Sequence, residues 1–254
     1  MSPDTPPRER VVSKEKDIVA AATEISDDYE LRILYEDAAV IAVDKPSGLL
    51  IHREAHVPAH VPVLVDLLGR LLGVSKVFPV HRLDRGTSGV VLFARDAEAA
   101  ATIGAMMQAR AVEKHYLALV RGEAPEELLI DYPIPRRKDG PRVEAQTKLR
   151  CLAQAATRPR FVSLLDLRPR TGRRHQLRRH LRHINYPIIG DTKYGDLGLN
   201  RAMNEGYGLS RLALHAAELS LLHPTSGERL RITAPLPADL REAFERMGLD
   251  LSFL

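Results

Sequence analysis

The chain of 254 residues predicts an α+β protein built on a mixed sheet with flanking helices. Short apolar stretches with period-two alternation recur along it, and longer stretches with helical spacing are interspersed among them. The two kinds do not alternate in the strict βαβ rhythm of a doubly wound parallel sheet. Hydrophobic residues make up 44% of the chain, enough apolar material for a real core.

Residues 1–28 are rich in proline and in charges of both signs, and read as a flexible tail ahead of a single domain, 29–254. Ile33–Tyr35 and Val40–Val43 read as strands joined by an aspartate-containing turn, and Lys45-Pro46-Ser47-Gly48 as a type I turn. Leu64, Leu67, Leu68 and Leu71 recur at i, i+3, i+4 and i+7, which predicts a helix. Strands follow at "VFPVH" and "VVLFAR". Asp96 then caps a helix through Arg110, with Ala99, Ile103 and Met106/Met107 as its buried stripe.

"EKHYLALVRG" alternates as a strand does, placing Lys114, Tyr116, Ala118 and Val120 on one face. "RFVSLLDLRP" is a further strand. A helix is expected to start near Thr171-Gly172, continue through "RRHQLRRHLRHI" and stop at Asn185, ahead of Pro187. Strands at "LALHAAELSLLHP" and "RLRITA" are joined by a His-Pro-Thr-Ser-Gly turn. A last helix over "PADLREAFERMG" buries Leu240, Phe244 and Met247.

The net charge of +4 favours a polyanionic partner. Its distribution says more: from Arg158 to Arg182 there are nine arginines, no lysine and one acid, Asp166. Arginine suits planar, bidentate contact with phosphate or carboxylate. The single Cys151 excludes an internal disulfide and a multi-cysteine zinc site, as expected in the reducing cytoplasm. No apolar run reaches the roughly 18 residues of a membrane span.

Asp84 stands between Arg82 and Arg85 in "HRLDRGTSG", bounded by apolar strands. A salt-bridged structural aspartate, a metal ligand, a phosphate loop and a catalytic nucleophile are the alternatives. "GTSG" is one residue short of a nucleophile elbow and lacks the Gly-Lys-Ser/Thr of a P-loop. It matches the G-x-x-G of KH modules, but that loop joins helices, and these flanks are strands. His81 and Asp84 have no third metal ligand nearby in sequence. Gly86 and Gly89 would let a ligand approach the backbone closely.

In the arginine helix, Leu177, Leu181 and Ile184 form the apolar stripe, while Arg174, Arg178 and Arg182 follow one another at i, i+4 and i+8. Like charges at this spacing repel, so local stability does not account for them, and an anion should face them. His175, His180 and His183 lack the Cys or Glu company of a metal site, and read as structural or ligand-facing.

"VDKPSGLLIH", "HRLDRGTSGVVLFARD", "EKHYLALVRG", "RTGRRHQLRRHL" and "PIIGDTKYG" together resemble, in order and spacing, the RluA-type pseudouridine synthases, from about Leu31 to Ala234. The resemblance implies a largely antiparallel sheet with a basic active-site cleft, and isomerisation of an RNA uridine to its C5-linked form without metal or cofactor. It implies Asp84 as nucleophile, Tyr116 against the target base and Arg178 paired with the aspartate. Arg82 would enter the space left by a flipped-out base, and His81, Arg174, Arg179 and Arg182 would also bind RNA. "DLGLNR" and "GLSRLALHAAELSLLHPTSGE" are similar to the branch acting on uridine 65 of tRNA. Ribosomal RNA is the alternative substrate, and a non-catalytic RNA-binding protein the alternative class. The tail before Leu31 is too short for the S4-type domain some relatives carry. A cytoplasmic monomer without obligate protein partner is expected.

Overall fold

The computed structural model describes residues 9–11, 31–54, 57–137 and 140–253. In chain order the first elements are β1 (Glu9–Val11), β2 (Arg32–Glu36), β3 (Val40–Lys45), α1 (Leu64–Leu72), β4 (Phe78–Pro79), β5 (Ser88–Ala94) and α2 (Ala97–Gln108). Then come β6 (Glu113–Arg121), β7 (Glu127–Asp131), β8 (Ile134–Pro135), β9 (Arg142–Val143), β10 (Gln146–Ala156) and β11 (Phe161–Pro169). The chain continues with α3 (Gln176–His183), α4 (Leu197–Tyr207), β12 (Leu214–Leu222), β13 (Arg229–Thr233) and α5 (Ala238–Arg246). The architecture is α+β: β1 pairs with β13 in parallel, while β2–β3, β3–β5, β4–β5, β6–β11, β10–β11, β7–β10, β8–β9 and β12–β13 pair antiparallel.

The chain forms two compact units. One comprises the described residues up to Arg85, Gly89–Glu113 and Glu218–Ala234; the other comprises Gly86–Ser88, Lys114–Ala217 and the residues from Pro235 onward. The expected tail, 1–28, lies outside the described residues except for Glu9–Val11, which forms β1 beside β13.

In the first unit, Asp37 turns the chain from β2 to β3, its Oδ1 accepting the N–H groups of Ala39 and Val40. β3 pairs with β5 so that Val40 meets Ala94 and Ala42 meets Leu92. These residues share a cluster with Ala99 and Ile103 of α2. Their alternating neighbours Ile41, Val43, Val91 and Phe93 are equally inaccessible. Both faces are therefore covered, which is why these strands read as continuous apolar runs rather than as alternation. Asp96 caps α2 by accepting from Ala99 N at 2.8 Å. β4 is shorter than "VFPVH" suggested, since only Phe78 and Pro79 pair with β5.

The second unit contains the antiparallel order β6-β11-β10-β7. Tyr116 stands opposite Leu167, which stands opposite Leu149, and Thr147 stands opposite Pro169 on the same face. Leu177 and Leu181 of α3 join that face's core together with Leu199, Met203, Leu240 and Phe244 of the later helices. β7, β10, the β8–β9 hairpin and α4 are not legible in the sequence. β10 carries Gln, Lys, Arg and Cys through its length and is only intermittently buried, so period-two alternation is weak.

α3 begins at Gln176, not at Thr171-Gly172. The residue before it, His175, adopts a left-handed conformation with φ 53°, which breaks the helical run. Thr171 instead enters a buried polar chain beneath the helix. Its hydroxyl receives Gln146 N at 3.0 Å and donates to Gln176 Oε1 at 2.7 Å. Gln176 Nε2 donates to Gln146 O and to the Thr147 hydroxyl. His180 lies 2.9 Å from that hydroxyl through Nδ1 and 3.0 Å from Tyr132 O through Nε2. A carbonyl can only accept, so Nε2 carries the proton and Nδ1 accepts from Thr147. His180 is thus a neutral anchor of the helix.

Burial pushes the His180 pKa down, with help from the charges of His183 and Arg179 and against its bond to Tyr132 O. The unfolded chain therefore binds a proton that the folded one refuses. Its contribution to stability is fully present above the unfolded value of about 6.5 and falls as pH drops below it. We expect the stability of wild-type protein, followed by urea unfolding, to decline from pH 6.5 to 5 more steeply than that of His180→Gln. Equal slopes would show that His180 is already charged in the fold.

Candidate active site

The segment carrying Asp84 lies in the first unit and is tied down on both sides. Leu92 N donates to His81 Nε2 at 3.0 Å, fixing the start of the segment to β5. Leu83 is buried. At the other end, Arg85 O accepts Gly48 N at 2.8 Å, and Arg85 Nε returns a bond to Gly48 O. Gly48, with φ 90°, occupies the left-handed region that the turn after Pro46 requires. Asp84 itself is half-buried between these anchors.

Lys45 is an anchoring residue whose place no local pattern reveals. It ends β3, is fully inaccessible, and its Nζ donates to Pro46 O at 2.8 Å, Leu49 O at 2.9 Å and Arg85 O at 3.2 Å. A buried ammonium survives only when its donors are satisfied. Here the acceptors are backbone carbonyls, including one from the residue next to Asp84. The sequence shows only a lysine at the end of the apolar run "VIAVDK", immediately before a proline.

Arg82 is exposed and pairs with Glu54 at 3.1 Å. Exposed pairs are worth roughly 0–1 kcal/mol, so the side chain is cheaply released for another partner. His81 has a bond that holds the loop, a role the sequence reading did not give it.

The other expected residues lie in the second unit. Tyr116 of β6 is half-buried and packs against the core on the face that α3 covers. Lys114, on the same face, has its pKa lowered by burial. Within α3 the arginines separate into different tasks. Arg178 grips Asp191 in a fork, Nε to Oδ2 at 2.7 Å and Nη2 to Oδ1 at 2.8 Å. Arg179 is half-buried and donates to Pro135 O, tying the β8–β9 hairpin to the helix. Arg182 is exposed on the helix, and Arg174 is exposed in the turn that precedes it.

Asp191 lies in the "PIIGDTKYG" stretch, where no local pattern marks it out. Burial pushes its carboxyl up, yet the Arg178 guanidinium and the Tyr194 and Lys193 N–H groups outweigh this and hold it below the usual carboxylate range. His183 stacks on Tyr132 with ring centroids 3.5 Å apart, and Arg142 lies over the same tyrosine at 4.9 Å. Among the described residues, no group of three or more His, Cys, Asp or Glu could hold a metal ion, and no helix is long and apolar enough to cross a membrane.

The first unit thus holds a pinned carboxylate segment, and the second an arginine helix set on an antiparallel sheet. The model of the RNA pseudouridylate synthase family matches residues 39–183. The tRNA pseudouridine synthase C of Haemophilus ducreyi is 41% identical over 238 residues, covering 86% of this chain and 96% of that protein. The enzyme of the same name from Haemophilus influenzae is 39% identical, covering 86% and 98%. The structure of human RNA Pseudouridylate Synthase Domain Containing 4 superimposes with a TM-score of 0.69 at 28% identity, over 86% of this chain and 94% of that one. The chain belongs to the RNA pseudouridylate synthase family and is an isomerase acting on RNA.

We expect Lys45→Met to strand carbonyls that now bind the ammonium, at roughly 1–3 kcal/mol for each left unsatisfied. Urea unfolding should show the lower midpoint, and turnover by the folded fraction should fall more than RNA affinity does. Unchanged stability and turnover would mean that the ammonium is not holding the loop.

Proposed function

We propose that this isomerase acts on tRNA, at the position-65 uridine, with Asp84 as its nucleophile. The tRNA reading is supported by relatives that share 41% and 39% identity across nearly their whole length. The single observation that supports Asp84 is the anchoring of its loop at His81 and at Arg85, which gives a carboxylate a set direction.

The reaction must break the C1′–N1 bond, hold the freed uracil, turn it and rejoin it through C5. Reactant and product are isomers, so no electrons are exchanged and no redox group is called for. A carboxylate can attack C1′ or take a proton from the sugar, and either step needs an ionised oxygen. Arg178 is proposed to stabilise that charge. The target base must leave its stack, at a cost of roughly a few kcal/mol. Arg82, released from Glu54, would fill the vacated space, and stacking on Tyr116 would return roughly 1–3 kcal/mol. Exposed Arg174 and Arg182 would meet phosphates, which set register rather than sequence. The proposed working form is a single chain in the cytoplasm.

Forming the C5 bond displaces the hydrogen at C5, so tritium release from 5-³H-uridine RNA reports the reaction. Release is expected from tRNA transcripts, and to disappear when uridine 65 is replaced. Release from ribosomal transcripts alone would reassign the substrate. Asp84→Asn should bind tRNA within a few-fold of wild type and release no tritium; wild-type release by that variant would end the nucleophile assignment.

Arg182→Ala should flatten the salt dependence of tRNA binding by up to about one unit of slope. An unaltered slope would place that side chain away from the RNA.

A further inference from the structure

Asp191 is 1% exposed and held rigidly by its own loop. Its Oδ1 accepts from Lys193 N and Tyr194 N, both at 2.9 Å, in addition to Arg178 Nη2. Its carbonyl accepts from Gly195 N and from Asn200 Nδ2, while Asn200 Oδ1 receives Gly190 N. Gly190 has φ 79°, and a Cβ there would stand 1.9 Å from Arg211 O, so no other residue fits the approach.

The same loop supplies a second surface for the guanidinium. Arg178 lies over the Tyr194 ring, 5.1 Å from its centroid. Tyr194 OH is 3.0 Å from His175 Nδ1, and the two rings meet edge to face. His175 is the left-handed residue immediately before α3, two residues ahead of Leu177. The guanidinium is therefore gripped on one edge, by Nε and Nη2, and covered on a face. Nη1 lies outside this fork, so its direction is set by the loop rather than by the rotamers of a long side chain.

Helix anchoring alone does not call for this ion pair. Leu177, Leu181, Gln176 and His180 already bury the inner side of α3. A buried Arg–carboxylate pair is seldom more stabilising than apolar packing of the same volume. A rigid fork is, however, what a guanidinium needs if it must point one way.

We propose that Asp191 is a positioning residue for the isomerisation, aiming Arg178 through the fork with Tyr194 as its backing. The proposal rests on the reading that Arg178 serves the Asp84 carboxylate.

The test is a cycle of Asp191→Asn, Arg178→Lys and the double variant, measured by single-turnover tritium release, RNA affinity and thermal melting. Asparagine keeps an oxygen for the Lys193 and Tyr194 N–H groups and loses the charged fork. Asp191→Asn is expected to slow the folded enzyme roughly 10- to 100-fold, the scale of an ångström of misplacement, with RNA affinity held within about threefold. In the Arg178→Lys background no guanidinium is left to aim, and the further loss should be under about threefold. Equal losses in both backgrounds, or a loss that follows only the unfolded fraction, would overturn the proposal.

Should Asp191→Asn fail to fold, Tyr194→Leu leaves the fork and removes its backing. Roughly a 3- to 10-fold loss alone and none beside Arg178→Lys is expected, and additive losses would overturn the proposal. Wild-type release by Arg178→Lys would instead remove the reading beneath it, and wild-type release by Asp84→Asn would remove only the nucleophile assignment.

Discussion

An ammonium group with no access to water is the constraint on which the first unit depends. Carbonyls of Pro46, Leu49 and Arg85 surround the Lys45 Nζ and accept its hydrogens. These bonds tie the turn after β3 to the segment around Asp84. The bond from Leu92 N to His81 secures the same segment from β5. Rigidity of this kind is paid for before any substrate arrives, which is the condition for a carboxylate to act without reorganising.

The second unit solves a different electrostatic problem. Arginines placed one turn apart on α3 would repel if they shared one environment. They do not share one. Arg178 is half-buried against Asp191, Arg179 is spent on Pro135 O, and Arg182 is left exposed. Arg173, ahead of the helix, donates to Glu144 O and so ties the loop after β9 to the same end. A basic sequence has been sorted into cations engaged within the protein and cations left exposed.

Beneath that helix the polar chain from Thr171 through Gln176 and Thr147 to His180 does what apolar packing cannot. Leu177 and Leu181 secure α3 against the core without fixing its rotation closely. The directional bonds of Gln176 and His180 set that rotation and with it the headings of the arginines. Tyr116 lies on the sheet face that this helix covers.

Local pattern was sufficient wherever one residue's neighbours in sequence were also its environment. The leucine spacing of α1, the Asp96 cap, the alternation of β6, the turn before Gly227 and the apolar side of α5 were all readable for that reason. The family motifs were readable too, and they pointed to the family and its activity. What only the tertiary structure decided are partnerships between distant residues: Lys45 with Arg85, Arg178 with Asp191, His180 with Tyr132. β10 escaped notice because its alternation is blurred by polar residues, and α3 began late because His175 took a left-handed conformation. Composition and spacing report what a side chain could bind; its partner depends on which strands lie side by side, and no local periodicity encodes that.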